Sequence, residues 1–190
     1  MRMSKFPVLI VPGHGDSGPT HWQSRWQDSK LDVWDRLRVD DWERAVCDDW
    51  VAAIHRQVAA LGPDTVIAAH SLGCLAVVHW AARHRARIRG ALLVAVPDPA
   101  SPVYPAALSI GFSPVPMSTL AFSTTVVAST DDPYAEISFA RSCAGAWGSD
   151  FVDVGPRGHI NAASALGEWS EGYRQLEALR SPIPDGQPWS

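Results

Sequence analysis

Short apolar runs alternate with stretches of helical period along the whole chain, and that alternation limits the fold more than any other feature. Residues 6–11 form an apolar run interrupted only by Pro7, and residues 37–39 are a short second candidate. Residues 65–69, 91–96, 125–128 and 151–154 follow. Runs that are apolar at consecutive positions suit strands buried on both faces. Between them the period changes: Val46, Trp50, Ile54, Val58 and Leu61 advance by about one helical turn each. Residues 72–84 read as a helix packed on the sheet, and residues 162–179 as the last helix. Ile137, Ala140, Cys143 and Trp147 mark another, opened by Asp132 with Pro133 at its first position. Strands alternating with helices pair in parallel through right-handed crossovers. The expected class is therefore α/β, a three-layer α/β/α sandwich with a mostly parallel sheet.

A chain of 190 residues favours one domain, expected over residues 1–180, with residues 181–190 as a tail whose prolines forbid a helix. Residues 97–116 break the rhythm with six prolines (Pro97, Pro99, Pro102, Pro105, Pro114 and Pro116), and so long a loop in a compact domain is usually functional. The composition, 46% hydrophobic and 19% charged, excludes disordered and fibrous classes. Net charge is -4, which leaves no basic stripe for a nucleic acid. Arg83, Arg85, Arg87 and Arg89 read as the solvated end of a helix and its following turn. No uncharged stretch is long enough to span a bilayer, and the N-terminal apolar run is too short for a signal-peptide core. Cys47, Cys74 and Cys143 are odd in number and fall in predicted helices, as core thiols of a reducing compartment would. A cytoplasmic location is expected. The seven histidines lack zinc-motif spacing, so neither metal nor cofactor is expected.

Chemistry enters at Ala69-His70-Ser71-Leu72-Gly73, between a predicted strand and a predicted helix. A nucleophile elbow needs that setting: a sharp strand-to-helix turn lifts the serine hydroxyl above the strand ends. Small residues two before and two after the serine permit the turn, and Ala69 fills a place more often held by glycine. Alone, Ser71 would serve as a helix N-cap. On such a fold, however, a serine nucleophile is followed in the chain by an acid and then a histidine. Asp132 lies just past the strand at 125–128, and His159 just past the strand at 151–154. All three thus fall at the C-terminal edge of the sheet, where open α/β sheets bind ligands. Asp131 is a neighbouring candidate for the acid, and His159 is expected on an exposed loop. The backbone N–H groups of Leu72 and His14 are candidates for an oxyanion hole. Gly13, His70, Tyr104, Phe112 and Met117 are candidates for the pocket of a small-molecule substrate, expected to be apolar.

Pro12-Gly13 followed by Ser17-Gly18-Pro19-Thr20-His21-Trp22-Gln23 resembles the opening of the small serine hydrolases of the retinoblastoma-binding-protein-9 type. Residues 128–134 (Ala-Ser-Thr-Asp-Asp-Pro-Tyr), Ala146-Trp147-Gly148 and Gly158-His159-Ile160-Asn161 are similar to later blocks of that family. The resemblance runs from residue 8 to about residue 167. It implies an α/β-hydrolase without a large lid, with Ser71 as nucleophile, Asp132 as acid and His159 as base. It leaves the substrate open.

Two other readings compete. Gly13-His14-Gly15-Asp16-Ser17-Gly18 spells the dinucleotide fingerprint after a strand, with Asp40 or Asp41 near the place of the ribose-binding acid. Pro19 argues against it, because the helix then starts only after the third glycine. The alternative is a catalytically silent interaction protein on the same fold, with some of its nine tryptophans as exposed anchors. Trp22, Trp26, Trp50 and Trp147 fall on core faces, whereas Trp34, Trp42 and Trp189 are less easily placed. No particular protein partner is implied.

Overall fold

The computed structural model describes residues 6–29, 33–85 and 87–181. Six strands make one parallel sheet: β1 (Val8–Val11), β2 (Trp34–Arg36), β4 (Val66–His70), β5 (Gly90–Val94), β7 (Ser123–Ala128) and β8 (Asp150–Asp153). Their order is β2-β1-β4-β5-β7-β8. Two short strands, β3 (Ala45–Val46) and β6 (Ser109–Ile110), pair in parallel outside it. The helices are α1 (Trp22–Ser29), α2 (Cys47–Leu61), α3 (Leu72–His84), α4 (Ile137–Trp147) and α5 (Ser170–Arg180).

Side chains on a strand alternate between faces, so a strand covered on both sides is apolar at every position. In β4, Ile67 and Ala69 join the core with α2, α3 and α4, while Val66 and Ala68 face α1 and α5. Leu9 and Val11 of β1, and Ala91 and Leu93 of β5, take the first face; Val8, Leu92 and Val94 take the second. Two cores on one sheet make the three-layer sandwich. Trp50, Trp80 and Trp147 fill one core, and Trp22, Trp26 and Trp169 the other. None of the tryptophans among the described residues is exposed, so no surface anchor is found among them; Trp189 lies outside the described residues. The three cysteines are free and buried. Among the described residues, no helix is long and apolar enough to cross a membrane.

Three expectations are corrected. The second strand is Trp34–Arg36, not residues 37–39. Leu37 only closes the ladder, donating its N–H to Ile10 O, and its side chain is buried in the core. The strand proper is polar because its charges are satisfied locally: Arg36 reaches Asp16, Ser24 and Gln27, and Asp35 accepts from Arg38 and Gln57. The helix expected to open at Asp132 begins at Ile137, after Glu136. Asp132 instead closes a turn, accepting the Tyr134 N–H at 2.9 Å. The last helix is not continuous from residue 162. A single 3-10 turn, Ala162–Ser164, ends on Ala165 in the left-handed region, and Gly167 and Trp169 also have positive φ before α5 starts. The expected tail, residues 181–190, lies outside the described residues except for Ser181.

Candidate active site

β4 ends at His70, and Ser71 makes the turn into α3 with φ 52° and ψ -125°. A non-glycine residue at positive φ is strained, and such strain persists only where the surroundings fix it. Three neighbours do so. The Ser71 N–H donates to Val94 O of β5 at 2.9 Å. Gly73 lets α3 pass so close to β1 that a Cβ there would lie 2.4 Å from both Val11 O and Pro12 O. Gly13 brings the loop after β1 against the serine, where an added Cβ would lie 2.9 Å from Ser71 Cβ. The result is a half-buried hydroxyl held above the strand ends.

His159 follows β8 on a loop, as expected, but it is only 9% exposed rather than on the surface. Its Nδ1 lies 2.9 Å from both carboxylate oxygens of Asp132, and its Nε2 lies 2.8 Å from Ser71 Oγ. A carboxylate only accepts, so the ring proton sits on Nδ1 and Nε2 accepts from the serine hydroxyl. The Asp132 side chain is 4% exposed, which keeps water from competing for the imidazole. Asp131 plays another part. It is exposed, and its Oδ1 accepts from Ser129 Oγ and Gly158 N–H, each at 2.7 Å. Those bonds tie the loop bearing His159 to the end of β7 and hold the Asp131 carboxyl below its usual pKa.

Two further histidines stand in line behind His159. The His70 and His159 rings are 5.0 Å apart, and the His21 and His70 rings 4.7 Å, edge to face. His70 Nε2 donates to His159 O at 2.9 Å, so it fixes the backbone of the base. Complete burial drives its pKa well below the ordinary value, with His159 and His21 adding to the effect. Burial, then the Arg36 charge, lowers the His21 pKa to about 4. Both rings are neutral at neutral pH. Gln23 supports this region from below: its Nε2 donates to Val11 O and Ala68 O, and its Oε1 accepts from Ser17 Oγ.

A cavity of about 270 Å³ opens onto Ser71. Gly13, His14, His21, His70, Leu72, Tyr104 and His159 are among the residues lining it. Among the bonds of the described residues, the N–H groups of Leu72 and His14 donate to no other backbone group. The pocket expectations for Phe112 and Met117 are corrected: neither lines this cavity. Phe112 is buried between Trp50 and His79, at 6.0 and 6.2 Å, where a large ring finds apolar neighbours. Met117 is 49% exposed. Of the proline-rich loop, Pro97, Tyr104, Pro105 and Ser109 reach the cavity, and pairing of β6 with β3 then carries the chain away. Burial pushes the Tyr104 phenol up to about 12, with Ser109 opposing. Asp16 and Asn161 also line the wall and were not singled out from the sequence, whereas His21 reads there as pocket wall or hydrogen-bonded scaffold. His21-Trp22-Gln23 carried a signal, since polar residues flanking a core tryptophan at a helix start need partners.

The dinucleotide fingerprint is not formed. Its third glycine should pack a helix on the strand, yet α1 starts four residues past Gly18 and a Cβ at Gly18 would meet nothing within 4 Å. Gly13 faces Ser71 instead of leaving room for a pyrophosphate. Asp41 is spent on the backbone N–H groups of Glu43 and Arg44. Among the described residues no group of three His, Cys, Asp or Glu side chains is placed to hold a metal ion.

Comparison with known proteins bears on the same region of the chain. A YdeN-like hydrolase from Pectobacterium atrosepticum is 33% identical over 93% of this chain and 94% of its own, with a TM-score of 0.81. The ydeN gene product of B. subtilis shares 21% identity over 91% and 97% of the two chains, with a TM-score of 0.76. A thermophilic esterase from Thermogutta terrifontis superimposes with a TM-score of 0.64 at 17% identity, over 94% of this chain and 92% of that one. The last two show the fold alone, that of an α/β-hydrolase without a large lid domain. No curated protein matches the chain. The family model for serine hydrolases matches residues 8–178, and the chain belongs to that family.

Proposed function

We propose that this protein cleaves a small carboxylic ester or amide through an acyl-enzyme formed on Ser71. The observation that carries the reading is the unbroken hydrogen-bonded chain from Ser71 Oγ through His159 to Asp132. As Ser71 Oγ attacks the acyl carbon, His159 Nε2 takes the hydroxyl proton and Asp132 stabilises the resulting imidazolium. The carbonyl oxygen becomes an oxyanion, and the N–H groups of Leu72 and His14 are the donors assigned to it. His159 then protonates the leaving alcohol or amine. Water, activated by the same nitrogen, releases the acid and restores the serine. The residues quoted above for the retinoblastoma-binding-protein-9 type support placing the chain there within its family. The reading also takes residues 1–180 as one domain and, from three buried free thiols, a cytoplasmic location.

The test is labelling of wild type and Ser71→Ala with a fluorophosphonate, followed by mass mapping. A single adduct on Ser71, absent from the variant, is expected, together with a loss of turnover on the order of a million-fold by analogy with other triads. Folded wild type that takes no label would sink the reading and favour a silent interaction protein.

A further inference from the structure

Buried polar side-chain atoms almost always have a partner, so those without one invite explanation. Three such atoms in this protein belong to residues that line the same cavity: His21 Nε2, Tyr104 Oη and Ser109 Oγ. Their residues are 4%, 9% and 5% exposed. They come from separate parts of the chain, His21 from the approach to α1 and the other two from the proline-rich loop, so one local distortion does not account for all three.

Their chemistry is specific. The Gln23 N–H donates to His21 Nδ1 at 3.2 Å, so in the neutral ring the proton is on Nε2, a buried donor without a partner. Tyr104 Oη and Ser109 Oγ are neighbouring hydroxyls, close enough for the serine to affect the phenol but without a hydrogen bond of full geometry. Each can donate and accept. An apolar substrate filling the cavity would leave all three unpaired. A substrate with a second oxygen would pair them, and sites of that kind reject analogues lacking the group. Charge is selected against as well. No lysine or arginine is among the residues lining the cavity, and the carboxylate on its wall, Asp16, is ion-paired to Arg36 at 2.7 Å.

We infer that the cavity selects small neutral esters or amides bearing a hydroxyl or carbonyl oxygen besides the scissile group, read by His21 Nε2–H and by Tyr104 Oη with Ser109 Oγ. This rests on the hydrolase reading above and replaces the expectation of an apolar substrate.

The experiment compares kcat/KM for matched esters, each normalised to its hydroxide-catalysed rate. Ethyl 3-hydroxybutyrate and ethyl acetoacetate are set against ethyl butyrate, and 2-hydroxyethyl acetate against propyl acetate. Wild type is expected to favour the oxygen-bearing member of at least one pair by about tenfold or more, one well-made hydrogen bond. Tyr104→Phe removes only the hydroxyl, and His21→Phe puts a larger apolar ring in place of both ring nitrogens; each is expected to cut that ratio severalfold. Fluorophosphonate labelling and thermal melting accompany every variant, and His21→Gln, which keeps an N–H donor, is expected to restore part of the ratio. A wild-type ratio of one or less in every pair, with Ser71 still labelled, overturns the inference and leaves the hydrolase reading standing. Ratios unchanged in both Tyr104→Phe and His21→Phe overturn it too. Absence of labelling on folded wild type overturns both.

Discussion

His159 spends both ring nitrogens on hydrogen bonds, to Asp132 and to Ser71, and the acceptor-only carboxylate of Asp132 fixes the direction of both. A single-atom change at Asp132 therefore propagates to the serine. In Asp132→Asn the amide N–H₂ can face Nδ1, which favours the tautomer with the proton on Nε2. Ser71 Oγ then loses its acceptor while the geometry stays intact. By analogy with the same change in other triads, kcat should fall by about 10⁴. Asp131→Asn removes charge from a carboxylate that never touches the ring, so its loss of kcat should be far smaller. Steady-state kinetics on one activated ester, run on both variants, separates the two aspartates; the reverse order of effects would exchange their roles. The sequence alone left both open, because the residues are adjacent and each follows a strand. Only the turn closed by Asp132 on Tyr134 N–H aims one inward and the other at Gly158.

The elbow is a junction of elements, and its glycines differ in what they permit. At Gly73 a methyl would press on two backbone oxygens, neither of which can swing aside without moving α3 off β1. Gly73→Ala should cost about 1–3 kcal/mol of stability, as overpacking does, in urea denaturation. Gly18→Ala meets nothing, and its stability should change by less than about 1 kcal/mol, with a gain possible through the unfolded chain. The legible elements were those whose cause is local. The consecutive apolar runs of β1, β4, β5 and β7 and the helical stripe of α2 need no partner to be recognised. β2 was misplaced because Trp34-Asp35-Arg36 looks like surface until Ser24, Gln27 and Gln57 are known to pair with it. The break before α5 was missed because Gly167 and Trp169 sit inside an apolar period that continues across them. Phe112 and Met117 share a loop with Tyr104, and nothing local tells which side chains of a long loop turn inward.

At the scale of the whole molecule, two neutral histidines buried behind the site tie folding stability to pH. In the unfolded chain each imidazole takes up a proton near pH 6.5. Folded, His21 does so only at about 4, and the His70 pKa is also lowered well below 6.5, because burial disfavours the charged ring. Over that window the unfolded chain binds more protons than the folded one, so stability falls as pH falls. The contribution is intact above about pH 6.5 and is lost progressively below it, amounting to about 3 kcal/mol for His21 alone by pH 4. Urea denaturation at pH 7.5 and pH 4.5 should therefore show a large drop in midpoint. His21→Gln, with no titrating ring, should lose less between the two pH values than wild type, even if it starts from a lower midpoint. An equal drop in both proteins would mean that His21 titrates normally in the folded state, and that its ring is open to water. That result would also weaken the case for His21 as a buried donor to substrate, since a hydrated Nε2–H discriminates little between partners.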